Sequence, residues 1–170
     1  SDAEFKWQDF QSKINSELIG NFGNFVNRSI SFIYNKLERK IERPKNSELT
    51  QRDTELRRRV RTSVKRIGNY LEQAEIRKAF NEVLALSTEG NRYFEDCKPW
   101  VKVNEDKKRA RHVLYQCADL CRTLAIVSAP FIPGASQRIW EQLNLKDKVD
   151  APGNWDSASE VSIPREHRVN

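Results

Sequence analysis

Residues 104–130 read NEDKKRARHVLYQCADLCRTLAIVSAP, and this stretch decides the fold class. Ala110, Val113, Leu114, Cys117, Leu120, Cys121, Leu124 and Val127 are spaced by three or four, the period of one face of an α-helix. Asn104 with Glu105 and Asp106 has the character of a capped, acidic first turn, which satisfies free N–H groups and suits the positive end of the helix dipole. Pro130 cannot continue a helix and marks its end. Cys117 and Cys121 fall on the apolar stripe and read as core thiols.

The same period recurs on both sides of this stretch. Downstream, Pro133 suits the first turn of a short helix carrying Ile139, Trp140 and Leu143. Beyond Asn144 the chain is polar and holds Pro152, Gly153 and Pro164, so residues 145–170 read as an irregular strap. Upstream, a helix from about Gln73 places Ile76, Phe80, Val83, Ser87, Gly90 and Phe94 on one stripe and stops before Pro99. Its small residues predict close helix packing. Before it, Ser47 is the expected N-cap of a helix with Leu56, Val60, Val64, Ile67 and Leu71 inward. The first helix is expected over residues 7–37, with Trp7, Phe10, Ile14, Leu18, Phe22, Phe25, Ser29 and Phe32 on its stripe. Trp7 and Trp140 read as core, while Trp155 is undetermined. The prediction is an all-α, antiparallel helix bundle of four long helices plus a short fifth, forming one domain over 1–170.

Composition narrows the class. The chain has 170 residues, 38% of them hydrophobic, which suits one core. No apolar run reaches the ~20 residues that cross a bilayer, and the amino terminus lacks a signal-peptide pattern, so a cytoplasmic protein without membrane contact is expected. Three cysteines without framework spacing predict reduced thiols. With no methionine anywhere, even at Ser1, the expectation is a piece of a longer protein. Thirty basic against 24 acidic residues give a formal charge of +6, which favours polyanionic partners.

The residues that could carry chemistry are few. Neither His112 nor His167 stands in metal or triad spacing, and no glycine-rich phosphate loop occurs, so no catalytic site and no metal site is expected. The run Gly20-Asn21-Phe22-Gly23-Asn24-Phe25-Val26-Asn27-Arg28 is different. Asn24 and Arg28 lie about 40° apart around a helix, roughly 6 Å from each other, on the rim beside the apolar stripe. An amide can donate to and accept from one base edge, and an arginine fork binds base or phosphate or stacks on a base. Polar residues on a rim also serve as solvated groups or caps, and spacing leaves both readings open. Gly20 and Gly23 each cost on the order of 1 kcal/mol in a helix interior, so close helix approach or ligand access must explain them. Trp100 follows Lys98-Pro99 and reads as a loop aromatic, able to stack an unpaired base or to plug the bundle end. Arg57, Arg58, Arg59, Arg61, Lys65 and Arg66 fan around the second helix as a solvated face or a surface for a phosphate backbone.

Taken together, several elements resemble the C-terminal, anticodon-binding domain of the methionyl-tRNA synthetases, class I aminoacyl-tRNA synthetases. They are Trp7-Gln8-Asp9-Phe10, Asn15-Ser16-Glu17-Leu18-Ile19, the Gly20–Arg28 run, Asn91-Arg92-Tyr93, Pro99-Trp100, Pro130-Phe131-Ile132-Pro133 and Ile139-Trp140-Glu141-Gln142-Leu143. The Pro-Phe-x-Pro and Ile-Trp elements are shared with the synthetases for leucine, isoleucine, valine and cysteine; Gly-Asn-Phe-Val-Asn-Arg joined to Lys-Pro-Trp is the specific part. The resemblance implies a helix bundle that reads the CAU anticodon loop of tRNA(Met) in a ligase that attaches methionine using ATP. It carries anticodon contact onto Asn24, Arg28 and Trp100, with Asn21, Asn27 and Tyr93 as neighbours. His-Ile-Gly-His and Lys-Met-Ser-Lys-Ser signatures do not occur, so the ATP and Mg sites would belong to an upstream catalytic domain of the same polypeptide, with no cofactor in this chain. Glu166-His167-Arg168 stands where that family more often has glycine before the histidine. The alternatives are the anticodon domain of another class I synthetase and a helical protein-interaction module.

Overall fold

The computed structural model describes residues 2–170; the side chains of residues 2–7, Phe10 and Ile19 lie outside the description. The expectation that Trp7 and Phe10 are core residues falls there. In chain order the elements are α1 (Asp2–Glu17), a π-helical segment (Leu18–Phe22), α2 (Gly23–Lys36), β1 (Lys40–Glu42), a 3-10 turn (Asn46–Glu48), α3 (Gln51–Glu72), α4 (Ile76–Cys97), α5 (Pro99–Glu105), α6 (Lys107–Ser128), α7 (Pro133–Gln142) and β2 (Glu166–Arg168). The long helices alternate in direction, as an antiparallel bundle requires. Arg52 reaches Asp96 while Ser63 reaches Glu82, so α3 and α4 run opposite ways.

The centre is α6. Every residue from His112 to Ser128 is buried, more than a single stripe, because the other helices and the C-terminal strap surround it. At Gly90 of α4 a methyl group would lie 2.8 Å from the Phe25 ring and 2.9 Å from Leu120, so glycine there lets α2, α4 and α6 close together.

The first helix is interrupted. The Gly23 N–H donates to the Leu18 carbonyl five residues back, a π-turn, and a Cβ at Gly23 would sit 2.9 Å from that oxygen. That is the physical reason for glycine at 23. Around Gly20 a Cβ would meet nothing within 4 Å, so packing does not require that glycine.

Three helix starts differ from expectation. Ser47 sits in the 3-10 turn, and α3 is capped by Thr50, whose hydroxyl accepts from Asp53 N at 3.2 Å while the Asp53 carboxylate accepts from Thr50 N at 3.1 Å. Helix α4 begins at Ile76, after a turn in which Ala74 takes a positive φ of 58°. Asn104 belongs to α5, and the N-cap of α6 is Asp106, whose carboxylate accepts from Arg109 N at 3.1 Å. Helix α5 is an unexpected element. Lys98 closes α4 in the left-handed conformation at φ 47°, and Pro99 opens α5 with its φ already fixed.

The strap over residues 145–170 also holds order that periodicity does not reveal. Its final strand pairs antiparallel with β1, Ile41 opposite His167, so Glu166-His167-Arg168 lies in a two-stranded sheet. Asp119 accepts from the Ser162 and Ile163 amides, Thr123 donates to Ala158 O, and Arg122 binds Ser157. Trp140 is buried as expected, its indole donating to Lys146 O at 2.9 Å. Cys97, Cys117 and Cys121 are free thiols, and burial raises the pKa of all three.

Candidate nucleic-acid interface

Two rows of polar side chains meet, one running from the π-helical segment into α2 and the other along α4. Asn21 donates to the Thr88 hydroxyl, Asn24 to Asn91 Oδ1 at 3.4 Å, and Arg28 Nη2 to Glu95 Oε1 at 2.6 Å. Each pair is separated by 67 positions, so the two helices advance in parallel, three then four residues at a time. Asn91 donates back to Asn21 O and Oδ1 at 3.1 and 3.0 Å, cross-linking the row. Asn24 and Arg28 therefore share a rim, as their spacing predicts. Asn24 is exposed and Asn21, Asn91 and Arg28 are half-buried.

At the lower end of the row stands an aromatic layer. The Arg28 guanidinium lies 4.0 Å from the Phe94 ring centre, and Phe94 stacks on Trp100 at 6.0 Å with planes 28° apart. Phe32 meets Phe94 edge-on at 6.0 Å and backs the layer. Phe94 is buried while Trp100 is 42% exposed, so one ring anchors and the other faces solvent. Trp100 occupies the second position of α5 rather than a loop, and helix geometry fixes its ring against α4.

Two of the expected neighbours are elsewhere. Tyr93 is fully buried on the inner side of α4, donating to Asp53 Oδ1 at 2.7 Å, and takes no part in the exposed face. One residue along a helix is a turn of about 100°, so Tyr93 faces inward where Phe94 faces the site. The Asp53 carboxylate also takes both Arg109 Nη atoms at 2.8 Å, clamping α3, α4 and α6 together. Burial works to raise the pKa of Asp53, but Arg109, Tyr93 and the Thr50 amide together hold it below the ordinary value. Asn27 is exposed and lines a separate groove with Gly23, Val26, Ile132 and Arg138, on the α7 side. Thr88, Asn91 and Glu95 complete the polar row and Phe94 the aromatic layer; the signal in the sequence for the three polar residues is their position on the α4 rim at 88, 91 and 95, the same step pattern as 21, 24 and 28.

Amides and a guanidinium on α2 and α4, with an exposed tryptophan on α5, can read base edges and stack unpaired bases. Among the described residues no group of His, Cys, Asp and Glu could hold a metal ion, and no helix is long and apolar enough to cross a membrane.

A family profile described as "Anticodon binding domain of methionyl tRNA ligase" matches residues 43–167. The chain belongs to this anticodon-binding domain family of methionyl-tRNA ligases. A second profile, "tRNA synthetases class I (M)", matches residues 1–30. Asn24 and Arg28 thus fall in one matched stretch and Trp100 in the other, and the bundle brings the two together. The methionine–tRNA ligase of Methanopyrus kandleri is 37% identical over 159 residues, covering 94% of this chain and 23% of that protein. That of Methanocella arvoryzae is 35% identical over 170 residues, 98% of this chain and 23% of the relative. The chain spans about a quarter of the length of these methionyl-tRNA ligases. The apo methionyl-tRNA synthetase of Mycobacterium tuberculosis shares the fold, with a TM-score of 0.81 at 20% identity over 94% of this chain and 32% of that one.

Proposed function

We propose that this bundle reads the CAU anticodon of tRNA(Met) for a methionine–tRNA ligase, whose catalytic domain, upstream in the same polypeptide, uses ATP and Mg to attach methionine. The observation that carries this reading is the Arg28–Phe94–Trp100 layer, open on its Trp100 side and continuous with the Asn24 amide. A splayed base stacks on Trp100, and Asn24 and Arg28 address base edges next to it. In the free protein the Glu95 carboxylate occupies one arm of the Arg28 fork, so an incoming base or phosphate takes over that position. Cognate recognition then holds the acceptor end near the catalytic domain, which supplies orientation to the transfer step.

Trp100→Ala in a folded protein is expected to weaken tRNA(Met) binding by about 1–3 kcal/mol, the range for one base–aromatic stack. Titration of labelled tRNA measures it. Unchanged affinity would remove Trp100 from the interface.

A further inference from the structure

The groove between α3 and α4 opens next to the Asn21–Thr88 pair, so it continues the proposed anticodon face around the outer side of α4. Its lining is Arg59, Ala85, Thr88, Glu89 and Arg92, with a volume of about 400 Å³. Along α3, Arg52, Arg59 and Arg66 recur every seven residues, two turns apart, and so form a single stripe facing α4, from which Arg59 enters the groove's lining. Each is tied to α4 by a carboxylate. Arg52 bonds Glu89 at 2.7 Å and Asp96 at 2.9 Å, while Arg59 and Arg66 approach Glu82 at 3.5 and 3.8 Å. Arg92 on α4 meets Glu89 at 3.2 Å.

The carboxylates of Glu82 and Glu89 lie low, and Arg66 and Arg92 stand well above them in exposure. Glu82 and Glu89 are 13% and 15% exposed, whereas Arg66 and Arg92 are 53% and 65% exposed. Arg59, Arg66 and Arg92 each meet a carboxylate through one Nη atom, which leaves their other fork donors without a hydrogen-bond partner among the described residues. Glu82 and Glu89, with Asp96 beside Arg52, thus orient four arginines, and the groove itself is lined by two guanidinium groups, of Arg59 and Arg92, against the one carboxylate of Glu89. Planar forks held in this way match phosphate oxygens.

We infer that this groove is a second RNA contact, seating phosphodiester groups of the strand that leads away from the anticodon. It rests on the reading of the Asn24–Arg28–Trp100 face as an anticodon site only for the identity of the strand. A backbone contact is blind to sequence and sensitive to salt. Base readout has the opposite signature.

The test uses the full chain with two RNA hairpins, one carrying a CAU loop and one with the loop changed, titrated over a series of salt concentrations. Arg92→Glu, at the most exposed of these arginines, is expected to weaken both hairpins by the same factor, roughly threefold to tenfold. The slope of log affinity against log salt should become shallower by about 0.7 for each single-strand phosphate that the variant no longer neutralises. Arg92→Lys should keep the slope, and Arg59→Gln should repeat the effect, with circular dichroism verifying the fold. Unchanged affinity and slope in Arg92→Glu and Arg59→Gln would overturn the inference. So would a loss confined to the CAU hairpin, which would make these arginines base readers, or a wild-type chain that binds neither hairpin. If the wild type binds both hairpins equally while the arginine variants flatten the salt dependence, the groove stands and the anticodon reading falls.

Discussion

Tyr93 and Phe94 are adjacent in the chain and serve different parts of the molecule. The Tyr93 hydroxyl completes the shell of Asp53, and the Phe94 ring supports Arg28 and Trp100. Tyr93→Phe keeps the ring and removes one donor from a buried carboxylate, so a loss of about 1–3 kcal/mol is expected in denaturant unfolding. A stability equal to wild type would mean that Arg109 and the cap satisfy Asp53 unaided. Gly90→Ala forces a methyl group into the Phe25 and Leu120 side chains at 2.8 and 2.9 Å, which should destabilise by about 1–3 kcal/mol. At this scale the sequence carries the rim of α2, because two polar residues four apart beside an apolar stripe define a face without tertiary information. It does not carry the partners on α4. Those lie 67 positions away, and nothing local distinguishes an arginine that meets a phenylalanine face from one that meets water. The family resemblance groups Tyr93 with the site, whereas the helical step of about 100° turns it inward.

At the scale of elements, the apolar period gives each long helix, since burial of one face dominates a segment of about twenty residues. Short elements escape that logic. Helix α5 has seven residues, too few for a period, and is set by the left-handed Lys98, by Pro99 and by packing on α6. Strands β1 and β2 have three residues each and are joined only through the fold, Lys40 to Arg168. The N-caps are Thr50 and Asp106 rather than the expected Ser47 and Asn104, because several capping residues cluster before each helix and tertiary contacts choose among them. Thr50 also holds Asp53 in a reciprocal cap, so Thr50→Ala should lower stability by about 1 kcal/mol. Ser47→Ala should stay within about 0.5 kcal/mol, as an exposed residue outside the α3 cap. A larger effect of Ser47 than of Thr50 in thermal melts would contradict the assigned helix start.

For the molecule as a whole, one core centred on α6 joins the two matched stretches of chain into one rigid face. That core contains a pH-sensitive point. His112 is buried on α6 with Nε2 unpartnered among the described residues, facing Glu42 at 3.9 Å and Glu48 at 4.0 Å, with Lys108 and Arg109 close by. Burial depresses its pKa below the ordinary 6.5, partly offset by the two glutamates. The unfolded chain therefore takes up a proton before the folded one does. Stability from this group is complete above about pH 6.5 and is lost as pH falls through the depressed value. His112→Leu should flatten the decline in melting temperature on mild acidification, and an unchanged slope would exclude His112 as its source. On the proposed reading the same rigidity serves function, because Asn24 and Arg28 lie on α2 and Trp100 on α5, and the three would address bases together only if the core fixes their relative positions. The most direct measurement is the affinity of wild type and Arg28→Ala for tRNA(Met) with the CAU anticodon and with single-base anticodon changes. Wild type should prefer CAU, and Arg28→Ala should narrow that preference by about 1–3 kcal/mol at the base it addresses, the value of one good edge contact. Equal affinity of the wild type for every anticodon, or an equal loss across all of them in Arg28→Ala, would contradict the assignment of this face to anticodon readout.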